Sequence, residues 1–297
     1  MSSRIIRVFP RRTSLTPTDS MAFVGDPPLF RPEADEVHIS ATFTWDLQEA
    51  QRLVDAWKQY YNDVQIGGPA LDAKPNGFIS GMYVKQGVSF TSRGCNNNCS
   101  WCLVPKREGE LTLLNDFAEG YIVNDNNFLQ CPASHRAKVY QMLNRQSRGA
   151  VFAGGLQALL TTDDIAEELR GLRKIGHIFL AADTGAALGP LERAVKRLSW
   201  LRSETEIARK RPAQRLHCYA LIGYGNEAPS EDDTEEEAQE KLNAAEQRLR
   251  RIWEIGATPF AQLYQPADHW IDYSQDWKNL ARTWQRPALM MRVMGSK

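Results

Sequence analysis

The sequence predicts an α/β protein whose larger part is a parallel sheet, and three observations lead to this class. The 297 residues are 42% hydrophobic and 24% charged, a composition typical of a globular chain with an apolar core. From Val88 onward, short β-rich runs alternate with segments of helical periodicity. This alternation produces strand–helix–strand units. We therefore predict a partial (β/α)6 TIM-like barrel preceded by a small α/β domain.

The small N-terminal domain is predicted to span residues 1–84. Residues 37–43 form a strand pattern, and residues 64–66 form another that ends in a Gly-Gly-Pro turn. Between them, Asp46 and Glu49 have the spacing of a capping box and predict the start of a helix. One apolar stripe defines the buried face of that helix: Leu47, Ala50, Leu53, Val54, Trp57 and Tyr61.

The barrel-like unit is predicted to span residues 85–297. Its strands are expected near residues 88–91, 150–153, 177–181, 215–222, 260–264 and 288–293. Its helices are expected near residues 134–147, 163–174, 187–205, 234–254 and 274–284. Thr234 and Glu237 form a second capping-box pattern, and the acidic first turn that follows suits the helix dipole.

Composition also limits the compartment and the class of partner. The chain has 36 Lys and Arg against 36 Asp and Glu, so a general electrostatic attraction to nucleic acid is not predicted. It lacks a run of roughly 20 apolar residues, and its start resembles no signal peptide. Five cysteines, an odd number, fit a reducing compartment. We expect a cytoplasmic protein with no membrane association.

The most informative segment contains three cysteines in a C-x3-C-x2-C pattern: Cys95, Cys99 and Cys102. Three thiolates can hold a cubane iron–sulfur cluster and leave one iron open. S-adenosylmethionine can occupy that iron through its amino and carboxylate groups. Two other interpretations stay open: a zinc site completed by Cys131 or His135, or a loop of free thiols.

Residues 91–102 resemble the signature of the radical S-adenosylmethionine superfamily, C-x3-C-x-aromatic-C after the first barrel strand. Trp101 is the aromatic residue, and residues 88–90 are the preceding strand. The resemblance implies that the three cysteines hold a 4Fe-4S cluster. That cluster would cleave S-adenosylmethionine reductively to a 5'-deoxyadenosyl radical, which takes a hydrogen atom from the substrate. No catalytic residue beyond the cofactor ligands follows from it.

Three later strand ends resemble the superfamily's cofactor-binding segments. Gly154 and Gly155 are similar to a Gly-Gly-Glu motif that receives the methionine amino group, although Leu156 and Gln157 stand where the acid is expected. Backbone can approach a ligand closely at glycine because no side chain intervenes.

The other two segments are polar and apolar respectively. Asp183 and Thr184 resemble a polar pair that contacts the cofactor's ribose or carboxylate, and helix capping is the alternative role for either residue. Ile222 and Gly223 resemble the apolar pair that lies against the adenine. The resemblance therefore implies cofactor binding at both strand ends.

The N-terminal unit looks like a truncated cobalamin-binding domain. It lacks an Asp-x-His-x-x-Gly motif, and His38 falls within a strand pattern, so we expect a structural histidine and no bound cobalamin. Taken whole, the order of motifs resembles a group of short radical proteins often carried by phages and mobile elements. That resemblance covers nearly the entire chain and implies a cofactor assignment without a substrate.

Several partners follow as expectations. The cluster would need an electron donor such as a flavodoxin or ferredoxin. Basic runs at residues 209–211 with Arg215, and at Arg4, Arg7, Arg11 and Arg12, suggest a nucleotide or nucleic-acid substrate. The alternatives are a peptide- or protein-modifying radical enzyme, a non-catalytic iron–sulfur electron carrier and a zinc-binding protein. Residues near the C-terminus are expected to set specificity or to close the sheet edge: Asp268, His269, Trp270, Asp272 and Tyr273.

Overall fold

A computed structural model describes residues 4–71, 81–266 and 269–295. The N-terminal part forms a four-stranded parallel sheet in the order β2-β1-β3-β4. Its elements are β1 (Ile5–Phe9), β2 (Ala22–Val24), β3 (Glu36–Ser40), α1 (Leu47–Lys58) and β4 (Val64–Gly67). The sequence patterns correctly predicted β3, α1 and β4. They missed β1 and β2, which are short and carry charged or exposed positions.

The core of this unit lies between the sheet and α1. Val8, Ile39 and Trp57 are fully buried, as the apolar stripe of the helix requires. The predicted capping box is wrong. Asp46 makes no cap hydrogen bond and instead forms a salt bridge with Arg11, while Glu49 pairs with Arg52 on the next turn. The ion pairs satisfy both carboxylates and remove their need to cap the helix.

The C-terminal part forms a six-stranded parallel sheet in the order β12-β11-β10-β9-β8-β5. Its strands are β5 (Gly87–Ser89), β8 (Gly120–Val123), β9 (Ala150–Gln157), β10 (Ile175–Ala181), β11 (Ala213–Ile222) and β12 (Ala257–Leu263). A separate antiparallel pair consists of β6 (Ser92–Arg93) and β7 (Thr112–Leu113). The fold is therefore α/β with parallel sheets.

Helices flank the large sheet. They are α2 (Val104–Arg107), α3 (Ala133–Arg145), α4 (Asp163–Arg170), α5 (Leu188–Arg197), α6 (Glu204–Ala208), α7 (Glu235–Ile255), α8 (Gln275–Thr283) and α9 (Pro287–Gly295). The capping box at Thr234 and Glu237 is confirmed. In the described part of the chain, no helix is both long enough and apolar enough to cross a membrane.

Two sequence predictions are corrected in this region, and one strand was not predicted. The strand expected at 288–293 belongs to α9, where Pro287 occupies the first helical position that its fixed φ favours. The single helix expected at 187–205 ends at Arg197, and α6 begins after a capping box between Ser203 and Glu206. Strand β8 was missed because its apolar run is only four residues long.

The C-terminal segment covers the β12 edge of the sheet. The amide of Ala261 donates to the Trp284 carbonyl at 3.2 Å, so an edge hydrogen bond is satisfied internally. Tyr273 is buried, and its hydroxyl donates to the carbonyls of Gly223 and Tyr264. Asp268, one of the predicted C-terminal group, lies outside the described residues.

Candidate functional site

The cysteine loop begins where β5 ends, at the C-terminal edge of the large sheet. A buried carboxylate, Asp125, anchors its first turn. Asp125 follows β8 and accepts hydrogen bonds from the Thr91 amide at 2.6 Å and from the Ser92 hydroxyl at 2.9 Å. Burial raises the pKa of Asp125, and the bonds from Thr91 oppose that rise. The sequence did not predict Asp125 as a site residue because it did not predict the preceding strand, β8.

The far side of the loop is fastened by Glu108. Its carboxylate pairs with Arg93 at 2.6 Å and accepts from the Gly94 amide at 3.2 Å. Gly94 has φ +75°, and a Cβ there would lie 2.1 Å from the Glu110 carbonyl oxygen. Only glycine fits this position. Asp125 and Glu108 therefore fix the backbone that precedes Cys95 from two sides.

The three thiols of Cys95, Cys99 and Cys102 are free and half-buried on this single loop. The Cys102 amide donates to the Cys99 carbonyl at 3.0 Å, and the Asn97 amide lies 3.4 Å from Cys95 Sγ. Burial raises the pKa of Cys99, and the negative charges of Cys102 and Cys95 raise it further. A cation bound among the thiols would relieve that repulsion.

A cavity of about 510 Å³ opens beside Cys95. Polar and apolar atoms contribute equally to its lining, which consists of Cys95, Asn96, Asn97, Asn98, Pro105, Gly109 and Glu110. Within the described residues, no three or more His, Cys, Asp or Glu side chains are already arranged around one metal position. The three thiols are thus neighbours in the chain, but they do not form a preformed coordination site.

Side-chain amides tie the loop to two strand ends. Gln157 Oε1, at the end of β9, accepts from Asn97 Nδ2 at 3.0 Å and from Asn127 Nδ2 at 2.9 Å. Gln130 Nε2 donates to Asn97 Oδ1 at 3.0 Å, and Gln130 Oε1 accepts from the Asn96 amide at 2.9 Å. In the sequence, Gln157 is distinguished only as a departure from an acidic motif. The structure shows that its amide oxygen holds the loop.

Asn127 is the most buried member of this network. Its Nδ2 lies 3.9 Å from Cys95 Sγ, a long contact, and its Oδ1 is buried without a partner among the described residues. A buried acceptor without a donor is costly unless a ligand or water supplies one. The orphaned oxygen therefore marks a position beside the thiols where a donor group is favoured.

The two predicted glycines of β9 differ in their surroundings. A Cβ at Gly154 would lie 1.8 Å from the Asp125 carbonyl oxygen, so the backbone that approaches this glycine belongs to the neighbouring strand end. Gly155 has φ +94°, and a Cβ there would meet only the Tyr219 ring, at 3.7 Å. The close approach expected at Gly154 is thus made by protein. Of the two glycines, Gly155 is the one that leaves space for a ligand on its side-chain side. The cofactor role of both glycines stays a prediction.

Asp183 connects the end of β10 to the cysteine loop. Its Oδ1 accepts from the Leu221 amide at 3.0 Å, and Trp101 of the cysteine loop lies near the carboxylate. Burial raises the pKa of Asp183, while the Leu221 amide and the positive charge of Arg248 oppose that rise. Thr184 precedes a short turn and makes no capping hydrogen bond with its side chain.

Arg248, on α7, connects the ends of β10 and β11. Its guanidinium forms a bidentate pair with Glu227, at 2.9 and 2.7 Å. It also donates to the Ala182 and Leu221 carbonyls, at 3.1 and 2.6 Å. This buried cross-link fixes the backbone on both sides of Asp183.

The last predicted pair lies deeper than expected. Ile222 is fully buried in the apolar core. A Cβ at Gly223, which has φ +74°, would lie 2.6 Å from the Tyr273 hydroxyl. Gly223 therefore makes room for Tyr273. The adenine-binding role of the pair stays a prediction, and the structure gives Ile222 a packing role.

An aromatic group flanks the cysteine loop on the β11 side. Trp101 packs edge-on against Tyr224, with ring centroids 5.2 Å apart, and Tyr224 packs against Tyr264 at 4.9 Å. The Tyr224 hydroxyl lies 2.6 Å from Ser100 Oγ. These contacts attach the loop to the segment that follows β11.

The proposed fourth zinc ligands lie behind the loop. Cys131 is buried, and burial raises its pKa to about 11. His135 is nearly buried, its Nε2 has no partner among the described residues, and burial lowers its pKa. In the described part of the chain, neither joins the loop cysteines in a group of metal ligands.

Comparison of the chain with protein-family models and with curated proteins gave no match. The chemistry of the site must therefore be interpreted from its own residues.

Proposed function

We propose that this chain is a radical S-adenosylmethionine enzyme in which Cys95, Cys99 and Cys102 hold a 4Fe-4S cluster. The observation that carries the proposal is the grouping of three half-buried free thiols on one anchored loop. Three ligands leave one iron for the amino and carboxylate groups of S-adenosylmethionine. When bound, the two cofactors supply reductive cleavage to a 5'-deoxyadenosyl radical that takes a hydrogen atom from the substrate.

The residues around the thiols fit such a pair of cofactors. The Asn97 amide points at Cys95 Sγ, the kind of N–H contact that stabilises a ligating thiolate. The unpartnered Oδ1 of Asn127 offers an acceptor beside the same thiol. The cavity next to Cys95 provides space, and Gly155 leaves its side-chain direction nearly open. Donors, acceptor and space thus occur together.

The order of the strands supports a barrel-like arrangement. Strands β5, β8, β9, β10, β11 and β12 are neighbours in chain order, with no reversal of direction along the sheet. A doubly wound sheet would contain such a reversal. Successive right-handed crossovers place their helices on one face and favour curling of the sheet. We therefore propose the partial (β/α)6 barrel predicted from the sequence.

The chain's own residues would position and protect the cofactors. Arg248 fixes the strand ends on which Asp183 stands, and Asp183 lies near Trp101 of the loop. The packed rings of Trp101, Tyr224 and Tyr264 would form one wall of the cofactor site. Thr184 and the glycines of β9 are the remaining proposed cofactor contacts.

The N-terminal unit supports no cobalamin role in this proposal. Both ring nitrogens of His38 are engaged, Nδ1 with Tyr83 at 2.6 Å and Nε2 with Glu36 at 2.9 Å. We infer that His38 links strand β3 to the segment that leads into the large sheet.

The proposed enzyme would act in the cytoplasm. Its electron donor would be a flavodoxin or ferredoxin, and its substrate would be a nucleotide or nucleic acid.

The proposal is tested by anaerobic reconstitution with iron and sulfide. Electron paramagnetic resonance of the reduced protein should change when S-adenosylmethionine is added, and 5'-deoxyadenosine should form in the same samples. Cys95→Ser, Cys99→Ser and Cys102→Ser should each abolish the cluster. Cys218→Ala, a change at a fully buried core thiol, should retain it. One equivalent of zinc without iron, or a cluster indifferent to the cofactor, would contradict the proposal.

A further inference from the structure

Basic side chains line the N-terminal edge of the large sheet, at the opposite end of the strands from the cysteine loop. Arg148 precedes β9, and Arg173 and Lys174 precede β10. Arg211 precedes β11, and Arg215 is the third residue of that strand. Neighbouring strands are about 4.8 Å apart, so successive strands bring these cations side by side. We call this set, together with residues 209 and 210, the basic edge.

The turn after α6 holds part of the basic edge in a fixed shape. Arg209 and Lys210 are exposed on it, and Lys210 has φ +51°, a conformation unusual for a residue with a side chain. Glu206, in the preceding helix, is occupied by backbone amides: its two carboxylate oxygens accept from Ser203 at 2.8 Å and from Gln214 at 2.9 Å. The local carboxylate is thus diverted from the cations.

The pairing of charges distinguishes this edge from the other basic runs. Among the described residues, no carboxylate oxygen lies within 4.0 Å of the side-chain nitrogens of Lys174, of residues 209–211 or of Arg215. By contrast, Arg4 pairs with Glu33 at 3.1 Å, and Arg7 and Arg11 are also paired. A chain of zero net charge therefore keeps an uncompensated positive strip in one place.

We propose that the basic edge binds the phosphate backbone of a nucleic acid. Most of its cations are arginines, whose planar guanidinium groups match phosphate oxygens in a bidentate manner. Contacts to phosphate oxygens carry no sequence information, so binding through these cations should be independent of sequence. The surface would tether a nucleic acid while the chemistry takes place at the other end of the strands.

An acidic electron donor fits this surface less well. Strand β10 has seven residues, and at about 3.3 Å per residue it separates the basic edge from the loop end by about 23 Å. A carrier docked at the basic edge would thus be far from the thiols and poorly placed to deliver electrons. A tethered polymer has no such restriction because its reacting part can lie elsewhere along its length.

The test is fluorescence anisotropy with a labelled oligodeoxythymidylate of about 20 nucleotides, longer than a typical single site. The variant carries Lys174→Gln, Arg209→Gln and Arg215→Gln, three exposed positions. The matched control carries Arg4→Gln, Arg52→Gln and Arg251→Gln, which removes the same charge from exposed, paired arginines. Circular dichroism establishes that both variants are folded.

We expect the first variant to bind at least about ten-fold more weakly and to lose about 2 from the slope of log K against log salt, since each single-strand phosphate contact contributes about 0.7. The control should keep the wild-type slope. Three results would overturn the proposal. The affinity could fall equally in both variants, the wild type could fail to bind the oligonucleotide, or a purified flavodoxin could bind at the basic edge in place of the oligonucleotide. This inference rests on the proposed function and specifies its substrate class. The Cys95→Ser protein should still bind the oligonucleotide with wild-type affinity. Failure of the cluster assignment can therefore be distinguished from failure of nucleic-acid binding.

Discussion

The side-chain oxygen of Gln157 lies 3.0 Å from Nδ2 of Asn97 and joins the end of β9 to the cysteine loop. An amide at this position accepts hydrogen bonds without placing a negative charge beside three thiols. The departure from an acidic motif noted in the sequence is therefore compatible with a structural task. The same atom also accepts from Asn127, so one side chain couples two strand ends to the loop.

Replacing Gln157 tests that coupling. Gln157→Ala removes two hydrogen bonds of about 1 kcal/mol each, so we expect weaker retention of reconstituted iron and a lower free energy of unfolding by about 2 kcal/mol. Gln157→Glu keeps an acceptor and should lose less. The measurements are iron content after gel filtration and urea denaturation. Gln262→Ala, at an exposed position of β12, is the control, and equal iron loss in both alanine variants would contradict the expectation.

The two glycines of β9 should differ sharply in their tolerance of alanine. At Gly154 the added Cβ would overlap a backbone oxygen at 1.8 Å, which nothing can relieve without moving β8 or β9. We expect Gly154→Ala to destabilise by 3 kcal/mol or more, roughly the range of severe overpacking. Gly155→Ala should cost about 1 kcal/mol, the usual penalty of a left-handed backbone. Urea denaturation of both variants would show the order, and a larger loss at Gly155 would contradict it.

The buried pair of Arg248 and Glu227 should be far more sensitive than the surface pairs. Arg248→Met leaves the Glu227 carboxylate without its partner and two backbone carbonyls without donors. We expect a loss of about 3 to 5 kcal/mol in the free energy of unfolding, as is typical when one member of a buried pair is removed. Arg251→Met, in an exposed pair with Glu192, should change it by less than about 1 kcal/mol. Similar losses in the two variants would be the contradicting result.

His217 should make stability depend on pH. Burial, and then the charge of His177 at 3.0 Å, lower the pKa of His217 to about 4. An unfolded histidine has a pKa near 6.5, so between pH 6.5 and 4 the unfolded state binds more protons and stability falls as pH falls. From pH 6.5 to 5 the loss is at most about 2 kcal/mol, less any screening by solvent. His217→Phe, which keeps the stack on Phe179, should flatten this dependence in urea titrations. An unchanged slope would contradict the assignment.

Periodicity predicted most of the large sheet, because long strands and helices with a buried face carry a strong signal. Strands β9 to β12 and helices α3, α4, α7 and α8 lie within a few residues of their predicted positions. It failed at β8, which has four residues, and at residues 288–293, where apolar side chains without alternation fit a helix equally well. Short or uniformly apolar segments are decided by tertiary packing.

The cysteine loop was predicted in position, whereas its supports were not. Spacing alone identified three thiols as one group, since the residues are adjacent in the chain. Asp125, Asn127 and Gln130 come from the segment after β8, about thirty residues later, and only the pairing of β8 with β5 brings them to the loop. A single sequence carries no signal for that neighbourhood. The run Asn124–Asn127 after an apolar segment was the available hint.

The lengths of the strands grade across the large sheet, from three residues in β5 and four in β8 to ten in β11. Fewer ladder hydrogen bonds and less buried area on the β5 side mean that local opening there costs less free energy than global unfolding. Amide protons of the loop-bearing strands should accordingly exchange with deuterium sooner than those of β11. In the proposed enzyme, iron and sulfide would reach the thiols on the β5 side of the sheet, which is expected to open more readily than the β11 side.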